Sequence, residues 1–186
     1  MDEAVETGQA GRLSRPVVLV GMPGSGKSAI GRALAECLSV PVFDCDAEIE
    51  AAANATIAEI FERDGEAFFR DREAEVLRRL LAQGPAIVST GGGAWLQERN
   101  RAAIAEAGVS VWLDADLDLL WERVRHKDTR PLLRVPDPRA RLAELYAERV
   151  PIYRLAALRV EADPAFSIED MTARVLAALK DAEVVQ

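Results

Sequence analysis

The chain has 186 residues, of which 49% are hydrophobic and 29% charged; this is enough for one α/β domain with a full core and is ordinary for a globular protein. A net charge of −8 argues against a general binder of nucleic acid or anionic membrane, and no apolar run approaches the ~20 residues of a membrane span. Of 23 basic residues only Lys27, Lys127 and Lys180 are lysines, so cationic chemistry falls almost wholly to guanidinium groups, which suit two-point recognition of carboxylates and phosphates.

Residues 1–15 (MDEAVETGQAGRLSR) are polar, lack the apolar stretch of a secretory signal, and carry early acidic residues that disfavour a transit peptide. A disordered tail on a cytoplasmic protein is expected, followed by a single domain over residues 16–182. Pro16–Val20 reads as a buried strand. The stretch after it, Gly21-Met22-Pro23-Gly24-Ser25-Gly26-Lys27-Ser28, has the spacing of a phosphate-binding loop. Its glycines let successive backbone N–H groups converge on an anion, and the next helix offers its positive N-terminus. Gly24, Ser25, Gly26, Lys27, Ser28 and Ala29 are therefore expected to hold a nucleotide, with Lys27 on the β- and γ-phosphates and the Ser28 hydroxyl on Mg²⁺. Ala29–Leu38 has helical spacing at Ile30, Ala33, Leu34 and Leu38, and Cys37 is assigned to its apolar face. With Cys45 as the only other cysteine, neither a disulfide framework nor a cysteine metal site is expected.

A second strand, Val40–Phe43, leads into Asp44-Cys45-Asp46. In extended chain the two carboxylates point the same way, which near a phosphate loop suits one for Mg²⁺ and one for a substrate proton. Asp46 is also a candidate cap for a helix over Ala47–Ala53, and the two roles are compatible. Residues 46–75 read as a helical insertion able to form a substrate-binding subregion. Within it, Arg70 and Glu73 share one face of the helix Glu66–Leu81. An exposed pair at that spacing contributes only ~0.2–0.5 kcal/mol, so an arginine pre-oriented for an anionic substrate is the sharper reading. Strand three, Ala86–Val88, precedes Ser89-Thr90-Gly91-Gly92-Gly93. Each glycine forfeits roughly 0.5–1 kcal/mol relative to Ala in regular structure, so close approach of a ligand to bare backbone is expected there, a tight turn being the alternative.

The helix Leu96–Ala107 and the strand Val109–Leu113 follow. Arg125–Pro138 is charged and rich in proline; it is either a surface loop or, as part of a region over about 124–138, a lid that brings arginines over bound phosphates. Ala140–Ala157 is helical in pattern, carries Arg149 and is interrupted by Pro151; Leu158–Val160 is a fifth strand, Ile168–Leu179 the last helix, and Ala182–Gln186 is expected to fray. Strands alternating with helices imply βαβ units, a parallel sheet covered on both faces, and a ligand site beyond the carboxyl ends of the strands.

Taken together, GMPGSGKS, the Asp-x-Asp at 44 and 46, the Phe-Arg-x-x-Glu at 69–73, the triple glycine at 91–93, RPLL at 130–133 and RVPIY at 149–153 resemble shikimate kinase in order and separation over about residues 15–180. The resemblance implies a nucleoside-monophosphate-kinase-like P-loop fold, three layers around a five-stranded parallel sheet, with lid and substrate-binding subregions. It also implies ATP-dependent phosphorylation of the 3-hydroxyl of shikimate in aromatic amino-acid biosynthesis, with ATP and Mg²⁺ as partners of the reaction and a monomer as the unit. Carried over onto matching positions, Lys27 and Ser28 bind phosphates and metal, Asp44 lies in the metal's outer sphere, and Asp46 orients and deprotonates the attacking hydroxyl. Arg70 and Arg149 grip the carboxylate beside Gly91, Gly92 and Gly93, Glu73 orients Arg70, and Phe61 and Phe69 wall the pocket. Arg130 reaches the transferring phosphoryl group, Arg123 packs on adenine, and Pro164 in the adenine loop replaces part of the contact of an arginine seen in some members. Two departures stand out: Cys45 replaces the usual Ser or Thr, and the segment Glu161–Pro164 lacks an arginine found in some members. A gluconate-type kinase of the same architecture and a regulatory nucleotide-binding module without turnover are the competing readings.

Overall fold

A computed structural model describes residues 11–126 and 135–186. Arg130, RPLL and most of the expected lid lie outside the described residues, as do residues 1–10 of the expected tail. Five strands, β1 (Val17–Val20), β2 (Val42–Asp44), β3 (Ile87–Ser89), β4 (Val109–Asp114) and β5 (Leu158–Glu161), form one parallel sheet in the order β2-β3-β1-β4-β5. The apolar run at 17–20 becomes the central strand because it is buried on both sides: all four residues are fully inaccessible. Alternation of side chains divides it between two cores. Val18 and Val20 pack with Leu77, Leu80 and Leu120, whereas Val17 and Leu19 pack with Leu34 and Val175.

The second face is covered by α1 (Lys27–Leu38) and α7 (Ile168–Asp181). The first is covered by α2 (Cys45–Ala53), α3 (Ile57–Leu81), α4 (Glu98–Ala107), α5 (Leu117–Val124) and α6 (Pro138–Tyr153). This is the expected three-layer arrangement. Because all five strands run the same way, their carboxyl ends gather every candidate loop on one edge, and the chain reverses its direction of winding beside β1.

Several expectations are corrected. The helix after β2 begins at Cys45, and its cap is Asp44, whose carboxylate accepts from the N–H groups of Asp46 (3.1 Å) and Ala47 (3.2 Å). Asp46 is thereby released from capping. Cys45, expected on a strand, starts the helix and is fully buried, while Cys37, expected in the core, is exposed. α3 runs on through Gly65, whose φ of 83° and ψ of 172° kink it, after a capping box at Thr56 and Glu59. Residues 12–14, at the border of the expected tail, and 184–186, expected to fray, are tied to each other. Leu13 is buried and bridges Val185 in antiparallel fashion, Arg12 and Gln186 exchange two backbone hydrogen bonds, and the Ser14 hydroxyl donates to the Val184 carbonyl.

Candidate active site

The loop after β1 is shaped by local sterics. Gly24 has φ +89°, and a Cβ there would lie 2.6 Å from Val124 on α5, so only glycine fits. Lys27 folds back beneath the loop and donates to the carbonyls of Gly21 (2.9 Å) and Met22 (3.0 Å), which sets the ammonium at the helix N-terminus. The Ser25 hydroxyl is buried without a partner among the described residues, and a polar group in that state calls for one. The Ser28 hydroxyl donates to the Asp44 carboxylate at 3.3 Å, joining two elements that lie sixteen residues apart.

Beside the loop is an open pocket of about 440 Å³, lined by Gly24, Gly26, Lys27, Ser28, Ala29 and Arg123, and walled by Phe166, Ile168 and Met171. Arg123 reaches the loop from α5 and donates to the carbonyls of Gly24 and Ser25 at 3.4 Å each. Pro164 is exposed and does not line this pocket; Phe166, two residues on, does, with the Arg174 guanidinium 3.9 Å from its ring centre.

The triple glycine forms the other half of the site. A Cβ on Gly91 would meet the Asp46 carboxylate at 2.6 Å, one on Gly92 the Arg149 guanidinium at 3.4 Å, and one on Gly93 the Arg70 guanidinium at 2.5 Å. One short loop is therefore ringed by a carboxylate and two guanidinium groups drawn from three different helices. The same Gly92 position lies 3.2 Å from Pro23, so the phosphate loop and the glycine loop touch. Arg70 is aligned by Glu73, which is 1% exposed and accepts from it at 2.9 and 3.1 Å. Burial pushes the Glu73 carboxyl up, and Arg70 opposes that rise. Burial also raises Asp46, helped by the charge of Asp44 and opposed by Lys27 and Arg70. The Nε–H groups of both Arg70 and Arg149 are buried without partners among the described residues. Phe69 is buried and packs against the exposed Phe61, with ring centres 4.7 Å apart and planes tilted by 38°, and Arg70 lies 5.2 Å from the Phe69 ring centre.

Chemically, such an edge can hold an anion between two guanidiniums, present a hydroxyl to Asp46 and aim it at a phosphate on the Lys27 loop. Sequence reasoning brought these residues to one edge but missed what fastens them. The Thr90 hydroxyl donates to the Leu19 carbonyl (2.9 Å), the Trp95 indole to that of Ile152 (2.9 Å) and the Tyr153 phenol to that of Gly92 (2.6 Å). A buried Tyr or Trp needs a polar partner, and that was the available signal.

A family model described as shikimate kinase matches residues 23–180. The shikimate kinase of Ruegeria pomeroyi is 63% identical over 172 residues, covering 92% of this chain and 88% of the relative. The shikimate kinase of Cereibacter sphaeroides is 58% identical over 168 residues, covering 90% and 84%. Among solved structures, shikimate kinase from Acinetobacter baumannii in complex with shikimate superposes with a TM-score of 0.85 at 36% identity, over 91% of this chain and 95% of that one. Fold and sequence are thus shared with these proteins along most of the chain's length, and the chain belongs to the shikimate kinase family.

Proposed function

We propose that the protein transfers the γ-phosphoryl group of ATP to the 3-hydroxyl of shikimate, giving shikimate 3-phosphate and ADP in aromatic amino-acid biosynthesis. The observation that carries this reading is the meeting of Arg70 and Arg149 at Gly92 and Gly93, one residue from the Asp46 carboxylate at Gly91. A small cyclic acid with a hydroxyl to be phosphorylated needs that combination: a two-point grip on its carboxylate and a base for its alcohol. Phosphoryl transfer asks the protein mainly for positioning and charge stabilisation, which Lys27 supplies at the phosphates. Arg123 and Phe166 offer flat faces for the adenine ring.

The oxygens of Ser28 and Asp44 fit Mg²⁺. The ion takes few protein ligands and completes its shell with water and phosphate, so two oxygens at the loop suffice where no cluster of three or more acidic, His or Cys side chains stands among the described residues. Held there by Ser28 and Asp44, it would offset the negative charge of the phosphates. The reading extends to a cytoplasmic monomer acting on small molecules, without nucleic acid or membrane; no described helix is long and apolar enough to cross a bilayer.

ADP release with shikimate, quinate and gluconate as acceptors tests the substrate, and preference for gluconate would overturn the assignment. Arg70→Ala and Arg149→Ala should each weaken shikimate binding by roughly ten- to a hundredfold, since a hydrogen bond to a charged group contributes about 1.5–3 kcal/mol. Lysine should rescue neither fully, because an ammonium lacks the planar fork. The parent should reject shikimate methyl ester and the double alanine variant should not; equal binding of acid and ester by the parent would dismiss the clamp. Gly93→Ala is expected to act on the same grip without unfolding the chain. Gly93 has φ −93°, which any residue adopts, and the nearest atoms to the added methyl are those of the Arg70 guanidinium, the far end of a long side chain rather than backbone. Calorimetry should show shikimate affinity down about tenfold with the melting temperature nearly unchanged; unchanged affinity would place Arg70 away from the substrate.

A further inference from the structure

The proposal concerns Tyr153, whose ring is fully buried at the end of α6 although its hydroxyl sits at the edge of the glycine loop. Three contacts meet on this one side chain. The phenol donates to the Gly92 carbonyl at 2.6 Å. Arg149, one helical turn earlier, lies against the phenol; burial pushes the phenol up to about 12 against the opposing pull of Arg149, so the hydroxyl stays a neutral donor. The ring stacks on Trp112 of β4, with centres 6.3 Å apart and planes at 19°. The neighbouring residue is fixed as well, since the Ile152 carbonyl accepts from the Trp95 indole just beyond the glycine loop.

We infer that Tyr153 is a positioning residue for the acid substrate: it locks the glycine loop to the helix that carries Arg149 and so sets the spacing between the two guanidiniums. The reasoning is geometric. A trans peptide carries its N–H opposite its C=O, so pinning the Gly92 carbonyl also fixes the direction of the Gly93 N–H. Gly93 is the residue against which Arg70 packs, and Gly92 the one against which Arg149 packs. Turning that one peptide would shift both neighbours at once. Trp112 supplies the rigid floor, because β4 is hydrogen-bonded on both sides inside the sheet. None of Tyr153, Trp112 and Arg149 lines the pocket with Arg123 and Phe166, and the glycine loop meets the phosphate loop at Pro23, so the larger effect is expected in the acid's half of the site.

This inference rests on the shikimate reading, and the test separates the two. Tyr153→Phe keeps the ring and its stack and deletes only the hydroxyl. Its KM for shikimate should rise roughly three- to tenfold while the KM for ATP and kcat stay close to the parent's, and the melting temperature should fall by no more than the ~2–4 °C that one buried hydrogen bond contributes. Discrimination between shikimate and its methyl ester should narrow by the same factor, because the phenol acts through the groups that hold the carboxylate. In an Arg149→Ala background the substitution should have little further effect on shikimate binding. Equal rises in both KM values, or full additivity with Arg149→Ala, would reduce Tyr153 to a packing residue and overturn the inference alone. Absence of shikimate turnover by the parent would overturn the function and the inference together.

Discussion

Replacing Lys27 with methionine should lower turnover by roughly 10³-fold or more while leaving a folded protein. The magnitude follows from what the ammonium does: charge on the transferring group is met by preorganised cations, and removing one such group typically costs on the order of 10²–10³, with larger losses where a phosphoryl group is the target. Survival of the fold follows from the surroundings. Lys27 is 9% exposed, its length is close to that of methionine, and the bonds lost include those to the Gly21 and Met22 carbonyls, which lie in the loop and not in the sheet. Coupled ADP release and circular dichroism together check this. Activity within tenfold of the parent, in a protein with an unchanged spectrum, would end the assignment of this loop to phosphate.

Asp46→Asn is expected to cost kcat ~10²–10⁴-fold, the usual range for losing a general base, and to change shikimate binding far less. The amide still hydrogen-bonds a hydroxyl but cannot take its proton. The acid side of the pH profile gives a second reading. Burial and the neighbouring Asp44 hold the Asp46 carboxyl above the ordinary carboxylate range, so the parent's activity should fall, as pH drops, at a higher pH than a free aspartate would dictate. In the Asn variant that limb should vanish. Stability should move the other way. A carboxyl whose folded pKa is raised favours the protonated native state, and its contribution is lost as pH rises through that pKa; at neutral pH the ionised Asp46 therefore costs stability. The Asn variant should melt no lower than the parent at pH 7. An unchanged kcat would reduce Asp46 to a side chain that merely lines the loop.

What could be read from the residues was whatever is local or periodic. Val17–Val20 announced itself as a buried strand because four apolar residues in a row suit only a strand covered on both faces, and the glycine spacing after it fits one kind of turn. Reading failed where two residues offered the same local chemistry. Asp44 and Asp46 are equally good caps, and only the path of the chain into α2 decides that Asp44 does the capping and Asp46 turns to Gly91. Cys37 sits beside Leu34 and Leu38 in sequence, yet it falls past the edge of the stripe that α7 covers. The kink at Gly65 was hidden because helical spacing resumes on either side of one residue. Least legible were the pairings that make the site a site. Nothing in RVPIY says that its tyrosine ends on a glycine sixty-one residues away, because long-range contacts depend on sheet order, which periodicity does not encode.

The pairing of residues 12–14 with 184–186 gives the molecule a built-in orientation. Those residues sit at the start of β1, and the phosphate loop sits at its far end, about 13 Å of strand away at ~3.3 Å per residue. A surface attachment made through Gln186 would therefore point the whole reactive edge outward. Protein tethered there, on a sensor chip or a resin bead, should retain nearly all of its active sites in reach of solution, whereas random coupling through exposed carboxylates would blind a share of them.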